Sequence, residues 1–335
     1  MVGALREEAR REGFTRVGVA RASQPPRFDR FLGWISAGRH AGMDYLARSR
    51  ETRSNPESLL PGAKSVVCLA APHSPEPFEA PDGSRFARYA RGSDYHGTLR
   101  DAASRAAERT RNRLGGEWRY RVCVDSVPLV ERSFAAVAGL GWIGKNGCLI
   151  DPVEGSYFLL AEILTDLDLP PDEPVAERCG SCVRCLEACP TGAFLEPGLL
   201  DAARCLAYWT IEHRGAIPDA WKEAIGQNVF GCDICQEVCP WNGPLASADS
   251  SPGRQQAPTR AEMLEMGRGE WRRRFGASAV NRAGWRGLQR NAAASAGSTR
   301  ESSCLPVLPR AASARTPGLS DAARWALGRL NAGRL

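Results

Sequence analysis

Eight cysteines carry the most explicit chemistry in this chain. CGSCVRCLEACP, residues 179–190, places Cys179, Cys182, Cys185 and Cys189 at intervals of three, three and four and closes on a proline; CDICQEVCP adds Cys232, Cys235 and Cys239, with Cys205 between the two runs. Spacing of this kind lets three neighbouring thiolates wrap one [4Fe-4S] cluster while the fourth reaches a second. Eight thiolates suffice for two clusters. The expected division is Cys179, Cys182, Cys185 and Cys239 on one, and Cys189, Cys205, Cys232 and Cys235 on the other. Structural zinc is the rival, but it favours two C-x-x-C pairs separated by a longer loop. The remaining thiols, Cys68, Cys123, Cys148 and Cys304, stand mostly among apolar residues and read as small buried hydrophobes.

Two clusters conduct electrons, so an acceptor is expected in the rest of the chain. Asp125 closes the apolar run YRVCVD just before the turn SVP. A carboxyl carried there to the mouth of a layered domain would be raised by burial and hold a proton near neutrality; the competing reading is a strand-end or capping aspartate. GLGWIG at 139–144 matches G-x-G-x-x-G but follows a helical run instead of a strand, which removes the context of a dinucleotide site. GKN lacks the Ser or Thr of a phosphate loop. DYHG at 94–97 lacks the later glycine of a histidine-on cobalamin motif, where Leu99 stands, and the four histidines, His40, His73, His96 and His213, read as surface or hydrogen-bonding residues.

These residues need elements to hold them. The N-terminal stretch MVGALREEARREGF is a charged amphipathic helix followed by the strand RVGVA; KSVVCLAAP is a buried strand, a long helix starts near Tyr95, YRVCVD is a strand, 129–140 is helical, and CLIDP and SYFLLAEIL are further strands. Such alternation predicts an α/β or α+β layer domain over 1–170. A cysteine-rich, ferredoxin-like domain follows over 171–245, then a polar linker over 246–262 and a helical-repeat-like region over 263–335. From Ala261 onward there are 13 Arg, no Lys and 5 acidic residues, so basic charge concentrates in the last quarter. That pattern suits either a solvated helical surface or a nucleic-acid face, with Arg272, Arg273, Arg274, Arg282, Arg286 and Arg290 as candidates. No stretch is long and apolar enough to cross a bilayer, since SYFLLAEIL is short and contains Glu162, and no export signal opens the chain; a cytoplasmic protein is expected.

The motifs GMDYLARSRETRSNPESLLPGAKSV, YARGSDYH, VDSVPLVERSFAAVAGLGWIGKN, CGSCVRCLEACPTGAF, IEHRGAIPDAWKEAIGQNVFGCDICQEVCPWN and RAGWRGLQRN together closely resemble the epoxyqueuosine reductase family. The resemblance covers at least residues 1–242 and 282–291. It implies an α+β chain: a cobalamin-binding layer domain similar to that of reductive dehalogenases, a domain with two [4Fe-4S] clusters, and a helical-repeat C-terminal region. The implied activity is reduction of the epoxide of epoxyqueuosine, at the tRNA wobble position, to queuosine. By the same resemblance Asp125 is the proton donor, and Arg53, Arg88, Tyr89, Lys145, Asn146 and Asp233 join it around the corrinoid. The implied partners are tRNA bearing epoxyqueuosine and an external low-potential electron donor, with no membrane and a monomeric state. After Asn291 the segment ASAGSTRESSCLPVLPRAASARTPG departs from the regular helical continuation this family implies. A reductive dehalogenase-like corrinoid reductase and a non-catalytic ferredoxin-type carrier are the alternative readings.

Overall fold

The computed structural model describes residues 1–74, 76–243 and 256–332. Four strands, β1 (Arg16–Arg21), β2 (Ser65–Pro72), β3 (Tyr120–Cys123) and β4 (Phe158–Thr165), form one sheet in the order β1-β2-β4-β3. All three pairings are antiparallel. The layer domain is therefore α+β. The two-residue side-chain period of the strands sorts this sheet into two faces. Val67, Leu69, Ala161 and Ile163 face helices α1 (Val2–Arg11) and α2 (Tyr95–Leu114). Val66, Cys68, Ala70, Cys123 and Leu164 face a shorter helix, α3 (Glu131–Val137).

Sequence explains the fit of each helix. Leu99, Ala102, Ala103, Ala106, Ala107 and Thr110 recur at helical spacing and are all buried, so α2 offers a stripe of mostly small side chains that packs close to the sheet. Asp94 caps its start by accepting from the His96 backbone N–H at 3.0 Å. On the opposite face, α3 ends so near β1 that a Cβ added to Gly18 would stand 1.9 Å from the Ala138 carbonyl oxygen. Glycine is required there by approach, not by conformation.

The third core does not follow the linear order of the chain. Phe78 and Phe86, from a strand pair that joins Asn228–Phe230, pack with Phe230 and Phe275 in one aromatic cluster. That core continues into α4 (Trp285–Ser298) and α5 (Pro317–Ala332), whose contact is tight enough that a Cβ on Gly297 would meet Trp325 and Ala326 within 2.7 Å. The expected departure after Asn291 is thus short: α4 runs on to Ser298, a 3-10 turn and the helix Leu308–Ala312 bridge the gap, and α5 restores the helical pattern. Of the expected linker, residues 246–255 lie outside the described residues, and the helix Arg260–Glu265 begins before the expected end, capped by a Thr259–Glu262 box.

Candidate functional site

The four thiols of the first expected set, Cys179, Cys182, Cys185 and Cys239, surround a recess of about 330 Å³ that Trp241, Lys145 and Asn146 also line. Among the described residues no three Cys, His or carboxylate groups converge closely enough to hold a single ion. Thiols spread around a recess suit a multi-iron cluster better than zinc. The Trp142 indole N–H donates to the Cys179 sulfur at 3.4 Å, a contact that stabilises a thiolate ligand. Cys189, Cys205, Cys232 and Cys235 form the second set, near enough that their charges act on one another. The Ala193 N–H donates to Cys189 at 3.3 Å. Cys148 is not the isolated apolar thiol the sequence suggested. It lies close enough to Cys235 for the two thiols to act on each other, because the turn after GKN folds back onto the cysteine-rich segment.

Beside the second set lies a cavity of about 760 Å³. Met43, Leu200, Ala202, Ala207 and Ile211 give it apolar walls, Cys205 brings a cluster thiol to its edge, and Arg53, Tyr89, Tyr95, His96, Asp125 and Arg282 supply the polar groups. The volume lies toward the upper end of ligand pockets and far exceeds what a single base needs. An apolar-walled space of this size, touching a cluster thiol, fits a corrin ring. His96 is the single histidine on its wall, and both of its ring nitrogens face carboxylates, so it is not available as an axial ligand.

Asp125 sits just beyond β3, with φ +43°, in a turn that ends at α3. Its carboxylate accepts from the Tyr95 hydroxyl at 2.8 Å and faces His96 Nε2 at 2.9 Å, while His96 Nδ1 faces Asp94 at 2.6 Å. Tyr95 stacks on the imidazole at 4.3 Å. Burial works to raise Asp125, but hydrogen bonds from His96 and Tyr95, the His96 charge and Arg282 outweigh it and hold the carboxyl below its usual range. The bond to Asp125, aided by Asp94 and opposed by burial, raises His96 to about 9. This corrects the expectation that Asp125 itself stores the proton near neutrality. These shifts favour a proton on the imidazole with Asp125 as its charged hydrogen-bond partner.

Three of the seven expected corrinoid-contacting residues, Arg53, Tyr89 and Asp125, line the cavity. Arg53 is anchored there by donation to the Leu129 carbonyl at 2.9 Å. The other four are placed elsewhere. Arg88 and Asp233 engage each other, with the Asp233 carboxylate accepting from the Arg88 N–H at 2.8 Å and the guanidinium also bound to Glu237 and lying over the Tyr157 ring. Lys145 donates to the carbonyls of Gly180 and Cys182, at 2.6 and 3.1 Å, and Asn146 reaches the Cys235 carbonyl. Lys145 and Asn146 shape the cysteine loops instead of the cavity, because their own turn packs on those loops. Tyr95 and His96 are the residues sequence reasoning missed; the helix-capping aspartate of DYHG, which turns its neighbour's ring, was the available signal.

The basic tail is divided as well. Arg290 is only 3% exposed and donates to the carbonyls of Trp209, His213 and Gly215, which excludes it from a phosphate face. Arg282 lines the cavity and pairs with Glu212 at 2.8 Å, and Arg286 lies over Trp285 at 3.9 Å. Arg272 and Arg273 are exposed, whereas Arg274 is half-buried and donates to the Gln256 carbonyl.

Two thiol sets in electrical reach of a large cavity with an acid–imidazole pair define a two-cluster oxidoreductase. Comparison with known proteins narrows the class. Residues 178–242 match the family described as 4Fe-4S double cluster binding domain, and residues 53–126 match Epoxyqueuosine reductase QueG, DUF1730. The chain is 40% identical over 304 residues to the epoxyqueuosine reductase of Xanthomonas campestris pv. campestris, covering 88% of this chain and 85% of that protein. Identity to the Pseudomonas aeruginosa enzyme is 38% over 342 residues, covering 97% and 93%. A crystal structure of epoxyqueuosine reductase with an epoxyqueuosine-modified tRNA-Tyr stem loop superposes with a TM-score of 0.87 at 31% identity, covering 98% of this chain and 89% of that one. A Bacillus subtilis structure, with its catalytic aspartate loop swung out of the active site, gives 0.88 at 31% identity over 98% and 90%. The chain belongs to the epoxyqueuosine reductase family, whose members are cobalamin- and iron–sulfur-dependent oxidoreductases.

Proposed function

We propose that this chain reduces the epoxide of epoxyqueuosine, at the wobble position of tRNA, to queuosine, with Asp125 delivering the proton and the eight cysteines holding two [4Fe-4S] clusters. The observation that carries this reading is the meeting of Cys205 and the Asp125–His96 pair on one cavity of about 760 Å³. The stem-loop complex of the structural relative supports tRNA as the substrate, and a tRNA substrate supports a cytoplasmic location. No helix among the described residues is long and apolar enough to cross a membrane. We assign 1–170 to cofactor binding and catalysis, 171–245 to the clusters and 263–335 to tRNA contact.

The net reaction consumes two electrons and two protons and releases the epoxide oxygen as water. Cobalamin, when bound, supplies a strongly reducing, nucleophilic metal centre for breaking the carbon–oxygen bond. The chain's own groups do the rest. Arg53 and Tyr89, with the apolar residues of the cavity, hold the corrin, and Cys205 places the second cluster's ligand set at the cavity wall. His96 stores a proton between two carboxylates, Asp125 passes it to the epoxide oxygen, and Tyr95 keeps the carboxylate aimed. Asp125 is 55% exposed at its side chain, so it meets an incoming nucleoside without a change of fold. Arg272, Arg273 and Arg286 are exposed and would meet phosphates, while the modified base would leave the loop for the cavity. The Bacillus subtilis structure with its loop swung out supports an Asp125 turn that has two positions.

The test is mass spectrometry of digested tRNA after anaerobic incubation with the reconstituted protein and a low-potential reductant. Conversion of epoxyqueuosine to queuosine, lost when cobalamin is omitted, is the expected result. Absence of conversion by a chain holding full iron and one corrinoid would refute it.

A further inference from the structure

Behind the Asp125 turn stands an acidic pair with no part in the mechanism above. Glu162 belongs to β4, in the middle of the sheet, and is 0% exposed. Its register neighbours are Cys68 on β2 and Cys123 on β3, both buried. Burial keeps these thiols protonated, raising Cys68 and pushing Cys123 up to about 12, so neither adds a second charge. The even position of Glu162 along β4 points it at α3, where Glu131 occupies the first turn. The α3 helix packs on β4 there, close enough for the two carboxyl groups to act on each other. As two carboxylates they could not bond at all, and neither Glu162 oxygen has a hydrogen-bond partner among the described residues. A proton on Glu162 resolves both facts: it donates to Glu131 and removes a buried charge that has no cation beside it.

Glu131 connects this pair to the site. Its Oε1 accepts from the Asp125 backbone N–H at 2.5 Å, and Asp125 there adopts a left-handed φ of +43°, a conformation unfavourable to a residue with a Cβ. We propose that Glu131 and Glu162 share one proton and act as positioning residues, so that the protonated pair holds the Asp125 turn in its catalytic conformation and loss of the proton releases it. The inference rests on Asp125 being the proton donor and on its turn having two positions. The hydrogen bond to Glu131 offsets the backbone cost of the turn only while Glu131 stays in place.

The charges around the pair set the direction with pH. Burial first, then the Asp125 charge, pushes Glu131 up to about 7, against the Asp125 N–H, Glu162 and Arg132; burial and then the Glu131 charge push Glu162 further the same way. Arg53 on the helix Arg50–Ser54 and Tyr95 on α2 also feel the Glu131 charge, and Arg121 on β3 feels Cys123. Both acids are raised on folding, so the stabilisation is complete below the ordinary carboxylate range, falls as pH rises through about 7, where Glu131 gives up its own proton, and is lost above that as Glu162 gives up the shared one.

The experiment is hydrogen exchange of the segment spanning 124–130 in the reconstituted holoenzyme from pH 6 to pH 9, corrected for intrinsic exchange. Wild-type protein should lose protection about tenfold across that range. Glu162→Gln, whose amide donates permanently to Glu131, should keep protection and turnover at both ends. Glu162→Leu should show low protection at every pH, with kcat lowered and KM little changed. Identical corrected protection in wild-type and Glu162→Gln protein at pH 6 and pH 9 would overturn the proposal, whether or not Glu162→Leu folds. Protection needs no turnover, so failure of the positioning role and failure of the reductase reading are told apart.

Discussion

At the scale of single residues, the proton's location decides how the site behaves. Asp125 is charged and His96 carries the proton up to about pH 9, so the pH–rate profile should fall on the alkaline side through that value instead of near the usual aspartate range. The sign agrees with stability: a histidine raised by a carboxylate partner contributes below its unfolded value near 6.5 and loses that contribution as pH rises toward about 9. His96→Gln should lower kcat and remove the limb near pH 9, leaving the fall near pH 7 that belongs to Glu131 and Glu162, with corrinoid stoichiometry intact; a limb near pH 9 that persists in the variant would assign the titration elsewhere. The double-cluster segment was legible because its cysteines are written in short local spacing. Asp125 was legible as a place but not as a protonation state, since its partners come from a helix start thirty residues upstream. Glu162 appeared in the sequence merely as a charge that spoils a bilayer span; only the pairing of β4 with β2 and β3 reveals it as the buried centre of the sheet.

Elements position these residues through close packing, and the tightest approaches give the clearest tests. Gly18 on β1 faces the backbone at the end of α3, so Gly18→Ala must push that helix end away from the sheet. An overpacking cost of about 1–3 kcal/mol is expected, measured as a lowered denaturation midpoint. An unchanged midpoint would show that the helix end yields freely. Replacing Cys205 should remove the second cluster and expose the cavity edge it lines, read as loss of about half the bound iron with the Cys179 set retained. Retention of all the iron would mean another thiol, with Cys148 nearest at hand, serves as ligand. Helix and strand positions followed from periodicity, whereas the antiparallel order of the sheet did not, because alternating elements suit both parallel and antiparallel layers. The turn after GKN illustrates the same limit: its docking on the cysteine segment, which diverts Lys145 and Asn146 from the cavity, is a tertiary fact.

Across the whole molecule, the proposed reading brings electrons through the cysteine-rich segment and the substrate to the cavity mouth, and the C-terminal helices pack on the same core. That core joins residues 78–90 to the C-terminal helices, so the proposed regions share one packed core. Composition showed that the tail is rich in arginine but not which arginines face water. Arg272→Ala with Arg273→Ala should weaken tRNA binding and shallow its salt dependence, roughly in proportion to the phosphate contacts removed. Arg290→Ala should instead lower stability, since it strips the Trp209, His213 and Gly215 carbonyls of a buried donor. Equal loss of tRNA affinity in the two cases, without loss of stability in the second, would reverse that division. The central claim, that Asp125 delivers a proton to an epoxide held at this cavity, is tested most directly by single-turnover conversion of epoxyqueuosine in tRNA, followed by mass spectrometry, with wild-type and Asp125→Asn holoenzyme matched in iron and corrinoid. A fall in rate of about 10²–10⁴-fold with cofactors retained is predicted; an Asp125→Asn protein that converts its tRNA at the wild-type rate would contradict it.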